Sequence, residues 1–150
     1  MLMQLLRHVH YKSVGMAMMV TLLLDGLSGI LLTLFMGRKA LTPGADHADL
    51  QQAFEAVVQE PSYLGASLLL GSATTVLGGY LAARMAGRLP YLNAAAYGAL
   101  GLILMLLMGS SDSPWWFTLF GLLSTVPLAL VGGHAARQQG GADAGSAPGA

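Results

Sequence analysis

A single acidic residue lies in the middle of a long apolar segment. Asp25 is the only charged residue in residues 14–36, which otherwise consist of apolar and small polar side chains. An ionised carboxylate at the centre of a membrane-spanning helix costs about 2.5 to 3.5 kcal/mol, so it is expected to face protein or water. Thr21 and Ser28 lie at helical spacing from it. We therefore expect Asp25, Thr21 and Ser28 to form a polar stripe that faces the interior of a helix bundle.

Two roles for Asp25 remain open from the sequence. A carboxyl group that gains and loses a proton could serve as a proton or cation site. Alternatively, a protonated Asp25 could form hydrogen bonds across helices and have a structural role. No Lys or Arg occurs in any of the predicted spans, so no cation inside them favours the ionised form.

The other residue types that carry chemistry give weaker patterns. His8 and His10 are not a same-face helical pair and lie beside the cations Arg7 and Lys12. The sequence contains no cysteine, no HExxH, no nucleophile elbow and no phosphate loop ending in Gly-Lys-Ser/Thr. We expect no metal site, no cofactor and no enzymatic activity.

The amino-acid composition is typical of a membrane protein. The 150 residues are 55% hydrophobic and only 9% charged, with a mean hydropathy of +0.62, whereas about a quarter of residues are charged in soluble domains. Basic and acidic residues number seven each, so no nucleic-acid partner is expected. Four segments reach the length of about 20 apolar residues that crosses a bilayer. They are residues 14–36, 62–83, 91–109 and 115–136.

These segments predict an all-α membrane protein, a four-transmembrane-helix bundle that forms one domain over residues 14–136. Residues 1–13 form a short segment before it, and the Gly- and Ala-rich residues 137–150 are expected to be a disordered tail. Small residues recur at helical spacing and predict the faces on which the helices pack. They include Gly71, Gly78, Gly98, Gly101 and Gly121, with Thr74 or Thr75 on the same stripe as Gly71 and Gly78.

The loop between the first two spans contains a short predicted helix over residues 46–60. Asp46 is suited to the N-cap position, and Pro61 is expected to end the helix. The apolar residues Leu50, Phe54, Val57 and Val58 fall on one face. This amphipathic helix either caps the bundle or lies on the outer membrane surface, where it could dock a partner.

Basic residues flank the spans unequally. Four spans place both termini and the second loop on one side, which carries five Lys or Arg, against two on the other side. The larger set is Arg7, Lys12, Arg84, Arg88 and Arg137, and the smaller set is Arg38 and Lys39. The positive-inside rule therefore predicts a multi-pass protein of the cytoplasmic (inner) membrane with both termini in the cytoplasm.

Several segments together resemble a known group of proteins. The stretch from Gly78 to Arg84 (GGYLAAR), the Pro114-Trp115-Trp116-Phe117 start of the last span and the first loop with Pro43-Gly44 carry the likeness. Across residues 14–136 the chain resembles small uncharacterised bacterial four-span integral membrane proteins. The resemblance implies a cytoplasmic-membrane protein without an assigned activity, and it transfers no functional residue.

Two functional hypotheses follow. The first is a small structural or accessory protein whose partners are the lipid bilayer and another membrane protein or further copies of itself. The alternative is a proton- or cation-coupled transporter of small molecules that uses Asp25 and is expected to be oligomeric. In its four spans and its acid midway along the first helix, the chain is similar to small multidrug transporters. It differs from them in its greater length, its Asp in place of Glu and its helical first loop.

Overall fold

The computed structural model describes residues 8–38, 47–108 and 113–145. Within these ranges the chain forms five helices and no strand: α1 Tyr11–Gly37, α2 His47–Gln59, α3 Pro61–Ala86, α4 Pro90–Met108 and α5 Trp115–Gly145. The four longer helices, α1, α3, α4 and α5, are long and apolar enough to cross a membrane. The predicted four-helix membrane fold, with a short helix between the first two spans, is therefore confirmed.

The helix boundaries follow from local sequence. Pro61 does not simply end α2, because it occupies the first turn of α3, where its missing N–H would be unpaired in any helix. Helix α3 ends at Ala86, and Gly87 follows it with a φ of 66°, the left-handed conformation that favours glycine. The turn is short, and α4 begins at Pro90.

The carboxyl-terminal segment differs from the expected disordered tail. Helix α5 continues past the predicted end of the last span, so residues 137–145 are helical. Arg137 and two glutamines after it are good helix formers, and the Tyr80 hydroxyl of α3 donates a 2.6 Å hydrogen bond to Gln139 Oε1. Residues 146–150 lie outside the described part of the chain.

The outer surfaces of the long helices are apolar. Leu23, Leu69 and Leu107 are 72%, 75% and 76% exposed, and many other large apolar side chains are similarly uncovered. Such a continuous apolar surface is unfavourable in water but matches the hydrocarbon of a bilayer, where helices satisfy their own backbone hydrogen bonds. Helix α5 begins with the exposed Trp115 and Trp116. Aromatic rings at the end of a membrane-spanning helix favour the membrane interface. The chain is a multi-pass membrane protein.

Helix α3 is central to the packing, because it contacts α1, α4 and α5. Its closest approach is to α5. A Cβ atom at Gly79 would collide with the carbonyl oxygen of Ala129, and one at Gly132 would collide with the carbonyl oxygen of Val76. The absence of side chains at these two glycines lets the two backbones touch.

The five glycines predicted to pack fall into two groups. A Cβ at Gly78 would overlap the Tyr97 ring, one at Gly98 would lie 3.1 Å from Val126 Cα, and one at Gly121 would lie 2.6 Å from Met105 Cε. Gly101 faces α5 more loosely, with Thr125 Cγ2 at 3.4 Å. Gly71 differs from the prediction, because a Cβ there would meet no atom within 4 Å. The reason is that Gly71 lines a cavity.

Helix α2 packs against α1 and α3. The Phe54 ring lies against Gly37 at the end of α1, with Phe54 Cε1 2.7 Å from the position of a Cβ there. Val57 is 8% exposed. Of the two placements expected for this helix, its contacts fit a cap over the ends of α1 and α3, while the predicted N-cap Asp46 lies outside the described residues.

Helix α1 is attached to the bundle mainly through α3 and the first half of α4. Asn93, which is fully buried, accepts a 2.8 Å hydrogen bond from the His10 backbone N–H through its Oδ1. Its Nδ2 donates to the carbonyl oxygens of Arg88 and Leu89 in the α3–α4 turn. In the described part of the chain α1 and α5 make no packing contact, so a space remains between the four helices.

Candidate ligand-binding cavity around Asp25

The space between the helices is a cavity of about 350 Å³ to which α1, α3, α4 and α5 all contribute. Its polar lining residues include Thr21 and Asp25 of α1, Thr75 of α3, Tyr97 of α4, and Ser124 and Thr125 of α5. Leu, Met and Phe side chains form much of the remaining wall. Asp25 is the one ionisable carboxyl among the described lining residues, and its side chain is exposed rather than enclosed.

A hydrogen bond joins Asp25 to the neighbouring helix. The Thr74 hydroxyl of α3 lies 2.5 Å from Asp25 Oδ1 and 3.0 Å from the carbonyl oxygen of Gly71. Because a hydroxyl carries one proton, it donates to only one of these acceptors at a time. An ionised Asp25 accepts the hydrogen bond from the Thr74 hydroxyl. A protonated Asp25 donates to Thr74 Oγ1 instead, and the Thr74 hydroxyl then donates to the carbonyl oxygen of Gly71. The contact between α1 and α3 is therefore hydrogen-bonded in both protonation states.

A second hydrogen bond between helices joins two residues of the cavity wall, Tyr97 of α4 and Thr21 of α1. The Tyr97 hydroxyl donates a 2.9 Å hydrogen bond to Thr21 Oγ1, and the Thr21 hydroxyl donates to the carbonyl oxygen of Ala17 or of Met18. Thr21 and Tyr97 are 1% and 5% exposed. Both residues line the cavity near the end of the bundle where α1 and α4 begin.

The cavity extends from the level of Thr21 and Tyr97 toward the opposite end of the bundle. Ser67 and Phe117 line it and lie close to the starts of α3 and α5. Asp25 lies near the middle of α1, between these two levels. A ligand or water that enters the cavity can therefore reach the carboxyl group.

The hydroxyl groups of the lining make the cavity rich in hydrogen-bond acceptors. Thr75 donates to the carbonyl oxygen of Gly71 at 2.7 Å, and Thr125 donates to that of Gly121 at 2.5 Å. A hydroxyl whose proton is used in this way retains lone pairs that accept. Together with one carboxylate and apolar walls, this arrangement suits a small molecule with an apolar body and a positive charge.

The structure brings together some of the residues predicted from the sequence. Asp25 and Thr21 both line the cavity, whereas Ser28 is partly buried and is not among the lining residues. The sequence interpretation did not identify Tyr97 as the partner of Thr21. The sequence offered one signal for this role. After Asn93, Tyr97 is the one side chain with a hydroxyl in a span of apolar and small residues.

Metal binding has no support in the described residues, which contain no group of three or more His, Cys, Asp or Glu side chains able to hold an ion. No family model, curated protein or solved structure matches the chain. A function is therefore inferred from the geometry of the cavity, and the resemblance to bacterial four-span proteins stays a prediction.

Proposed function

We propose that this protein binds a small amphipathic cation in the cavity and exchanges it for a proton at Asp25, as a proton-coupled membrane transporter. The observation that carries the proposal is a cavity, lined by all four long helices, that reaches the one carboxyl group within the spans. Its volume of about 350 Å³ falls in the range of roughly 300 to 1,000 Å³ that is typical of small-molecule sites.

The hydrogen bonds around Asp25 allow this exchange without loss of helix packing. With the cation bound, the carboxylate is ionised and Thr74 donates to it. When the cation leaves, a proton binds Asp25, and the Thr74 hydroxyl turns to the Gly71 carbonyl oxygen. A cation and a proton each carry one positive charge, so the cavity has the same net charge in both loaded states, and neither state leaves an uncompensated charge among apolar groups.

The same hydrogen bond also supports the second candidate, a structural or accessory membrane protein. A protonated Asp25 that permanently links α1 to α3 would stabilise the bundle without taking part in exchange. In that case the functional partners would be another membrane protein or further copies of the chain, besides the lipid bilayer itself.

Transport by the purified protein in liposomes separates these candidates. The probe is benzyltrimethylammonium, which has an apolar ring and a fixed charge that cannot itself bind or release a proton. We expect an outwardly directed proton gradient to drive accumulation of the probe, and we expect probe binding in weakly buffered detergent to release protons. Protein-independent uptake together with no proton release would reject the transporter and leave the accessory role.

The membrane and the orientation are also part of the proposal. The basic residues near the ends of the long helices support insertion into a bacterial cytoplasmic membrane with both termini inside. The chain contains no cysteine, so introduced cysteines report on topology without background. We expect Gln59→Cys, in the exposed end of α2, to react with an impermeant thiol reagent in intact cells.

The matching positions on the other side are Ala86 and Gly140, at the end of α3 and in the extension of α5. Cysteines at these positions should react only after the membrane is permeabilised. Labelling of Gly140→Cys but not Gln59→Cys in intact cells would reverse the proposed orientation.

A further inference from the structure

A second cavity, separate from the one around Asp25, lies where α3 ends and α4 begins. Its volume is about 440 Å³, and two arginines from different helices line it, Arg84 of α3 and Arg137 of α5. The remaining described lining residues are Ala83, Gly87, Pro90, Ala136 and Gly140. The two arginines are the charged side chains among these described lining residues.

The local fold explains why the two arginines meet. Gly87, with its left-handed φ of 66°, turns the chain directly after α3, which brings the start of α4 beside the cavity. Ala83 and Ala136 are 3% and 5% exposed and are small enough for α3 and α5 to lie close together. Arg84 and Arg137 follow these alanines by one residue each, so their side chains leave the helices at the same level.

Arg137 is held in position by an aromatic neighbour. Its guanidinium carbon lies 5.6 Å from the centre of the Tyr91 ring, a distance at which a cation is attracted to the ring face. The Tyr91 hydroxyl is in turn hydrogen-bonded to His134 Nδ1 at 2.7 Å. An arginine oriented in this way loses less side-chain freedom when it binds a ligand.

The chemistry of the cavity matches a phosphate group. Guanidinium groups present planar pairs of N–H donors that match phosphate oxygens, and two of them can bind one phosphate together. The cavity lies at the ends of membrane-crossing helices, next to the interfacial Tyr91, which is the depth of lipid headgroups. We propose that this cavity binds the phosphate of an anionic phospholipid such as phosphatidylglycerol. Free phosphate is the other source of the same chemistry.

Thermal unfolding in nanodiscs tests the proposal. The wild-type protein is compared in phosphatidylcholine alone, in phosphatidylcholine with phosphatidylglycerol, and in phosphatidylcholine with millimolar inorganic phosphate. We expect phosphatidylglycerol to raise the unfolding temperature by about 5 °C, as mass action predicts for a ligand in large excess over its Kd. The Arg84→Gln/Arg137→Gln variant should lose this shift.

Two controls separate the site from a general effect of surface charge. Lys12→Gln removes a positive charge at the same end of the bundle outside the cavity, and Arg38→Gln removes an arginine that lies over the Phe35 ring at the opposite end. Both should keep the shift. Arg84→Lys/Arg137→Lys, which keeps charge but loses the paired donors, should give an intermediate shift and replaces the glutamine variant if that does not fold.

The outcomes distinguish a lipid site from a site for soluble phosphate and from no site at all. A shift that only phosphatidylglycerol produces, and that requires the two arginines, supports the lipid site. A shift that inorganic phosphate produces equally, and that requires the same arginines, supports the phosphate chemistry with a soluble source and overturns the lipid assignment. A shift retained in the glutamine variant, or no shift with either compound, overturns the site altogether.

Discussion

Replacing Asp25 with Asn is expected to weaken the binding of benzyltrimethylammonium by roughly 10- to 100-fold and to abolish the proton release that accompanies it. The carboxylate is the one negative charge on the described cavity wall, and attraction between unit charges about 4 Å apart amounts to about 4 kcal/mol at an effective dielectric constant of about 20, before solvation costs. Asn keeps the shape and can still bond to Thr74, so the fold should be preserved. Isothermal titration calorimetry at several pH values measures both effects.

The pH dependence of the wild-type protein has a definite sign. Because the proton and the cation compete for the same carboxylate, the affinity for the probe should fall as the pH is lowered, and it should be independent of pH in Asp25→Asn. Glu55→Gln is the matched control, since Glu55 lies on α2 outside the cavity and accepts a hydrogen bond from Gln51. A normally folded Asp25→Asn that still couples probe binding to proton release would refute the assignment of Asp25.

The second large effect is expected at the contact between α3 and α5. In Gly132→Ala the new methyl group would collide with the backbone of α3 at Val76, where no flexible side chain can move aside. Overpacking of this kind typically costs about 1 to 3 kcal/mol, and Gly132→Leu should prevent assembly of the bundle. The unfolding free energy, measured by denaturation in mixed detergent micelles, reports the loss.

Two other glycines provide the comparison. A Cβ atom at Gly26 or Gly71 would meet nothing within 4 Å. Gly→Ala at these helical positions should therefore leave stability unchanged or raise it by about 0.5 to 1 kcal/mol. If Gly132→Ala were as stable as Gly71→Ala, the described approach of α3 and α5 would be wrong.

The periodicity and length of apolar segments were sufficient to predict the four long helices and the short helix before α3. The same reasoning predicted an inward face for Asp25 and Thr21, because a charged group in an apolar helix avoids lipid. Both residues line the cavity, but only Thr21 is buried, whereas Asp25 is exposed. The partner of Thr21 could not be predicted in this way. Tyr97 reaches it through the rotation and tilt of α4, and these depend on side-chain packing among all helices rather than on spacing within one.

The glycines of α3 also show that residue spacing within one helix does not predict which neighbouring helix a residue contacts. Gly78 and Gly79 are neighbours in sequence, but Gly78 faces Tyr97 of α4 and Gly79 faces Ala129 of α5. A single stripe of small residues along α3 describes only one of these two faces, because adjacent residues on a helix point about 100° apart. A central helix that packs against three other long helices has several packing faces. For the same reason the small-residue pattern predicted a packing contact at Gly71, whereas Gly71 borders the cavity.

Because α1 and α5 do not pack against each other in the described part of the chain, α1 has room to tilt within the bundle. Asn93 and Tyr97 of α4 are hydrogen-bonded to the first part of α1, whereas the later part of α1 is bonded to α3 through Asp25 and packs against α2 at its end. Residues 21–37 extend ~24 Å at 1.5 Å per residue, so a tilt of ~5° about Thr21 would move the far end of α1 by ~2 Å. Phe54 of α2 lies against Gly37 at that end of α1. A tilt of α1 would therefore displace α2 together with the end of α1.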